Sequence, residues 1–156
     1  MSGVGFFWKD KTDHCPDLVI ENGQIKFDQG LETSVLISAF SDRFVELDQL
    51  PAGTDDQKGW WADLISDIIG DKIGSEIWRL TRAKTSAQTA SFLEGAMQDM
   101  LQWMIDDGIA SKIVVTSRVI DNQQIDGLAQ IFRPSGDDIP FKFAWDGQEL
   151  KISEAS

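Results

Sequence analysis

The sequence predicts an α+β fold: an N-terminal hairpin and helices, then one long central helix packed on a C-terminal antiparallel sheet of three or four strands. Three observations carry that expectation. Ala90, Leu93, Ala96, Met97, Met100, Leu101, Met104 and Ile105 recur at spacings of three and four, the period of a helix with one apolar face. After Gly108 the apolar period falls to two, as in strands with one buried face. Near the N-terminus, Asn22-Gly23 separates two short segments, and both residues of that dipeptide tolerate the positive φ of a tight hairpin turn.

Residues 1–16 mix glycine, aromatics and charges without a period, and are expected to be a flexible arm with one short strand at Gly5 to Trp8. Asp17 to Glu21 and Gln24 to Asp28 then form the hairpin. Leu31, Val35, Leu36, Ala39, Phe40 and Phe44 share one stripe, giving a helix over about 31–43 that ends at Ser41-Asp42-Arg43. Pro51, Gly53, Asp55 and Asp56 make the following segment a loop.

Gly59 to Arg82 concentrates three of the six tryptophans, Trp60, Trp61 and Trp78, among glycines. Such a segment is either a packed crossing between elements or a contact surface, and packing is the blander reading. Trp61 to Ile69 forms a short helix stopped by Gly70, and Ser75 caps another that runs through Arg82. Glu76 near its start and Arg79 near its end suit the helix dipole whatever else they do.

Thr85-x-x-Gln88 has the form of a capping box and opens the long helix, which Gly108 ends. Its roughly 22 residues would span about 33 Å. Three methionines on its stripe suit an adaptable interface or, more ordinarily, the filling of an irregular core. Beyond it, Ile113, Val115 and Val119 mark one face of a strand, Asp121 to Gln124 a turn, and Ile125 to Arg133 a second strand. Pro134 to Asp138 turns again, Ile139, Phe141, Phe143 and Trp145 alternate along a third strand, and Asp146-Gly147 returns the chain through Leu150 and Ile152. With no repeat or linker to divide it, the chain of 156 residues is expected to be one domain, 1–156, with a flexible tail at 153–156.

A net charge of −12, from 14 basic and 26 acidic residues, sets the protein against nucleic acid and anionic membrane, both of which need a positive surface. Cys15 is the single cysteine, so no intrachain disulfide can form. The apolar start Met1 to Trp8 lacks a basic flank and meets Lys9 too soon to be a secretory signal, and no stretch approaches the roughly 20 apolar residues of a membrane span. Asp13, His14, Cys15 and Asp17 carry metal-binding groups, but adjacent His and Cys rarely share an ion and the chain has no second His or Cys. Gly3-x-Gly5 is a fragment of a dinucleotide fingerprint, and Gly70-x-x-x-Gly74-Ser75 lacks the Lys-Ser/Thr ending of a phosphate loop. No cofactor is expected.

Four blocks carry a resemblance. Leu36-Ile37-Ser38-Ala39-Phe40-Ser41-Asp42-Arg43, Gly59-Trp60-Trp61, Ile73-Gly74-Ser75-Glu76-Ile77-Trp78-Arg79-Leu80 and Leu101-Gln102-Trp103-Met104-Ile105-Asp106-Asp107-Gly108, in that order, resemble the baseplate protein family of Mu-like phages. The resemblance spans roughly residues 17 to 145, and the paired tryptophans followed by the Gly-Ser-x-x-Trp block are its most specific part. That family is similar to the wedge proteins of contractile tails. The resemblance implies a structural virion protein that holds baseplate neighbours together and helps join the first sheath ring to the baseplate. Other baseplate and sheath proteins would be its partners, with self-association left open. It would be made in the host cytoplasm and end in the tail, and Arg43, Trp60, Trp61, Trp78 and Arg79 would be candidate interaction residues. The broader wedge group carries a Glu-Pro-Arg motif after its long helix where this chain has Ile105 to Gly108, so no role of that motif carries over. An exposed edge of the antiparallel sheet could accept a partner's strand.

Two other classes compete. Related tail proteins have been labelled lysozyme-like, and a glycosidase needs two carboxyl groups about 5 to 10 Å apart. Glu76, Glu94, Asp106 and Asp107 lie near aromatic residues, although 26 acidic residues guarantee such pairs by chance. The structural reading is expected over this enzyme. A generic acidic adaptor or immunity-like protein, bound to a basic partner through salt-sensitive contacts, is the third reading.

Overall fold

The computed structural model describes residues 3–4, 6–7, 17–18, 20–25, 27–28, 31–59, 73–80 and 83–155. Short paired strands open the chain: β1 (Gly3–Val4) with β6 (Phe27–Asp28), β2 (Phe6–Phe7) with β3 (Asp17–Leu18), and β4 (Ile20–Glu21) with β5 (Gln24–Ile25), all antiparallel. The expected hairpin turn is present, with Asn22 and Gly23 at φ of 53° and 78°, but the hairpin is shorter than the expected Asp17 to Glu21 against Gln24 to Asp28. Only Ile20–Glu21 and Gln24–Ile25 pair with each other, while Asp17–Leu18 and Phe27–Asp28 pair with β2 and β1 instead. The segment expected to hold one strand, at Gly5 to Trp8, contains β2, and β1 precedes it.

Helix α1 (Glu32–Phe40) is shorter than the expected 31–43 because Ser41 turns extended, at ψ 132°. It buries Val35, Leu36, Ser38 and Ala39. A 3-10 turn, Leu47–Gln49, and a second, Ile77–Leu80, occupy the connecting region. Over the described residues the expected helix after Ser75 is a 3-10 turn, and its expected end at Arg82 lies outside them. The expected helix at Trp61 to Ile69 lies outside the described residues.

The long helix is present but bent, as α2 (Ala87–Met100) and α3 (Gln102–Asp106). Leu101 joins them with its N–H on Gln98 O rather than on the fourth carbonyl back, so the ladder tightens without breaking. Its cap also differs from expectation. Ser86, not Thr85, is the N-cap, and its Oγ accepts the Thr89 N–H at 3.1 Å. Thr89 occupies the place a capping-box Glu or Gln would fill, and donates instead to Lys84 O at 2.6 Å. The three stripe methionines are core filling, since Met97, Met100 and Met104 are 0%, 1% and 0% exposed.

The sheet is a meander of four antiparallel strands, β7 (Lys112–Val119), β8 (Ile125–Phe132), β9 (Asp138–Trp145) and β10 (Leu150–Glu154), in spatial order β10-β9-β8-β7. Register aligns Val115, Ala129 and Phe141 in one row and Ser117, Gly127, Phe143 and Ile152 in the next. These rows face the helices, because residues directly opposite one another share a face and alternate residues face away. One contiguous core joins Val35 and Leu36 of α1, Leu93, Met97 and Met100 of α2, Met104 of α3, and Ile125, Phe141 and Ile152 of the sheet. Trp103 ties α3 to α1 by donating its indole N–H to the buried Ser38 Oγ at 3.1 Å. At the last hairpin, Asp146 Oδ1 accepts the N–H groups of Gln148 and Glu149, at 3.0 and 2.9 Å. Chiefly the bond from Glu149, offset in part by desolvation, holds the Asp146 carboxyl below the ordinary aspartate range.

Candidate protein-interaction site

The corner where α1 ends meets the Ile73 to Leu80 block, and backbone chemistry fixes it. Ser75 N–H donates to Ser41 O and Arg43 N–H to Ser75 O, each at 2.9 Å, making a parallel bridge between Asp42 and Ser75. Ser75 Oγ donates to Ala39 O at 2.8 Å, satisfying a carbonyl left open by the end of α1. It also lies 3.4 Å from the Ile77 N–H, the capping contact expected for the following turn. Gly74 is required beside it: its φ is +106°, and a Cβ there would sit 2.5 Å from Ser41 O. The Gly-Ser pair of the most specific block is thus a backbone crossing.

Three of the five candidate interaction residues meet at this corner. Trp78 donates its indole N–H to Arg43 O at 3.0 Å. Arg79 pairs with Glu76, donates to Gln49 O at 2.6 Å, and lies 5.1 Å over the Phe92 ring, so it fastens the 3-10 turn to the preceding loop and to α2. Both residues are half-buried and hold the corner together. Arg43 differs, since its Nε is buried without a hydrogen-bond partner. Trp60 and Trp61 lie outside the described residues.

The acidic residues weighed for hydrolysis are engaged separately. Glu76 pairs with Arg79, Glu94 accepts the Ser117 N–H and Oγ–H, and Asp106 accepts from Gln102. Asp107 is exposed beyond the end of α3. Asp121 and Asp146 share a small surface depression, but each accepts backbone N–H bonds of its own turn. No cluster of three or more His, Cys, Asp or Glu that could hold a metal occurs among the described residues.

Glu94 and Gln98, four apart on α2, have a role that sequence reading missed. Ile120 N–H donates to Gln124 O, so by antiparallel alternation the even-numbered residues of β7 bond to β8 and the odd-numbered ones point their backbone groups away. Two of those outward groups are taken by α2: Glu94 accepts the Ser117 N–H at 2.9 Å, and Gln98 Nε2 donates to Ile113 O at 3.3 Å. One edge of the sheet is therefore covered. At the other edge, Asp146 N–H donates to Glu149 O and Ala155 N–H to Pro140 O, so the odd-numbered residues of β10 bond to β9. The N–H and C=O groups of Leu150, Ile152 and Glu154 point outward, with no hydrogen bond among the described residues. A polar residue at i and i+4 beside an apolar stripe was the available signal for the covered edge, but such pairs ordinarily face solvent.

The family model described as phage protein GP46 matches residues 31–138. Among curated proteins, the baseplate protein gp46 of Escherichia phage Mu is 31% identical over 92% of this chain and 95% of its own length. The Mu-like prophage FluMu protein gp46 of Haemophilus influenzae is 32% identical over 74% of this chain and 75% of its own. No solved structure matches. With the family model covering α1 through the start of β9 and the Mu relative aligned over nearly its whole length, the chain belongs to the GP46 family of phage proteins.

Proposed function

We propose that this chain is a structural component of a contractile-tail baseplate, wedge-like, joining baseplate neighbours and the first sheath ring. The name of the phage Mu relative supports the baseplate part of this reading. The observation that carries the joining part is the edge of β10 at the exposed Glu154, whose outward N–H and C=O have no hydrogen bond among the described residues and can template a partner's strand, whereas Leu150 and Ile152 are buried. The covered edge of β7 directs such pairing to one side of the sheet. Arg43 is the foremost side-chain candidate for a second contact, with Trp78 and Arg79 beside it at the corner and Trp60 and Trp61 as further candidates. Its Nε is buried without a partner, so a neighbour's carbonyl or carboxylate would be met by the terminal nitrogens of the half-buried guanidinium. The proposed destination is the virion tail, reached after assembly in the host cytoplasm.

Labelled electron microscopy of contractile particles tests the location: antibody against the chain should mark the end where sheath meets baseplate. A Glu154→Pro variant tests the edge, since it removes an outward N–H from an exposed residue without breaking the ladder to β9. Baseplates that incorporate the variant should fail to retain sheath. Full sheath attachment would remove strand addition at β10 from the proposal.

A further inference from the structure

The face of the sheet turned away from the helices is an open groove of about 1010 Å³. Register puts Thr116, Leu128, Lys142 and Ser153 in one row across it, and Arg118, Asp126, Ala144 and Lys151 in the next. An antiparallel sheet can leave one face in water, so openness alone says nothing. Charge is what sets this face apart. Basic residues number 14 against 26 acidic in the chain, yet the groove is lined by Arg118, Lys142 and Lys151 with Asp126 as its one carboxylate. None of the three cations forms a salt bridge among the described residues. Asp126 is occupied by Gln124 Nε2. Between the cations, Leu128 and Ala144 are half-buried and supply an apolar floor.

We infer that this groove docks an acidic amphipathic helix from a neighbouring protein of the same assembly. The inference rests on the baseplate reading for the setting but not on the β10 edge. Four strands at about 4.8 Å spacing leave a width of roughly 14 Å, which accommodates a helix of about 10–12 Å diameter. Such a helix would lay its apolar stripe on Leu128 and Ala144 and its carboxylates on Arg118, Lys142 and Lys151, completing a helix–sheet–helix sandwich. A second copy of the chain is disfavoured by mutual repulsion between molecules of charge −12, and nucleic acid by the same field.

The test uses the full chain in cells assembling particles, with a photo-cross-linking amino acid at Thr116, which is exposed on the groove face, and at Ser91, exposed on α2, as reference. Mass spectrometry of the Thr116 adduct should map to an Asp/Glu-rich helical segment of another particle protein. The variant R118E/K142E/K151E, carrying the same probe and checked for folding by circular dichroism, should lose that adduct at least tenfold while Ser91 adducts persist. Incorporation into particles with no Thr116 adduct would overturn the groove assignment and leave the baseplate reading standing. So would an adduct to a second copy, to nucleic acid, or to a segment without acidic residues. Absence of the chain from particles would instead remove the baseplate reading, and this inference with it.

Discussion

Gly127 shows how a residue with no side chain can shape a sheet. It sits directly opposite Phe143, and a Cβ at Gly127 would lie 2.0 Å from the Phe143 ring Cζ. Phe143 is 2% exposed, so its ring lies across the glycine within the core and has no solvent side to move to. Gly127→Ala should therefore destabilise by about 1–3 kcal/mol, the usual cost of overpacking. Gly95 makes the contrast: it lies exposed within α2, and a Cβ there meets nothing within 4 Å. Gly95→Ala should stabilise by about 0.5–1 kcal/mol, through helix propensity alone. Urea unfolding of both variants checks the pair, and equal effects would mean that the Phe143 packing is not what sets the cost. Neither role was legible beforehand, because a glycine in a strand pattern signals only a weak point or a close approach, and the partner is sixteen residues away in sequence. The same holds at the corner. Trp78 and Arg79 stood out by residue type, whereas Gly74 and Ser75, which fix the crossing, are explained only by the carbonyls of Ala39 and Ser41.

Elements were more legible than residues, since a period is a property of many side chains at once. The stripe of α2 and α3 and the alternation of the four strands rest on burial of one face, and each strand lies close to where its pattern placed it. Boundaries were less so. Thr85 and Ser86 are adjacent and both can cap, and only the 3.1 Å bond from the Thr89 N–H to Ser86 Oγ decides between them. Ser86→Ala should cost about 1 kcal/mol, whereas Thr85→Ala should stay within about 0.5 kcal/mol, measured by chemical denaturation. The bend at Leu101 had no signal at all. No glycine or proline marks it, and the stripe continues through it, with Leu101 and Met104 both fully buried. Past the bend, α3 brings Trp103 to Ser38 of α1.

At the scale of the whole molecule, charge is the property read most directly from sequence, and its consequence for stability follows from competing terms. The excess of acidic over basic residues makes the folded surface repel itself, and the sequence pI is about 4.3. Against this stand specific pairs. Lys58 reaches Asp56 at 3.4 Å and Asp42 at 3.7 Å, with all three side chains at least 40% exposed, so both pairs are solvent-screened and contribute little. The Glu76–Arg79 pair is more sheltered and less open to screening. Raising salt from about 0.02 M to about 0.5 M shortens the screening length several-fold and weakens both classes. The repulsion should dominate, because it sums over the whole surface while the exposed pairs among the described residues are few and weak. The melting temperature should therefore rise with sodium chloride at pH 7, and the R118E/K142E/K151E variant, which replaces three positive charges with negative ones, should rise more steeply. A melting temperature that fell with salt would mean that local pairs such as Lys58 with Asp42 and Asp56 outweigh the net field.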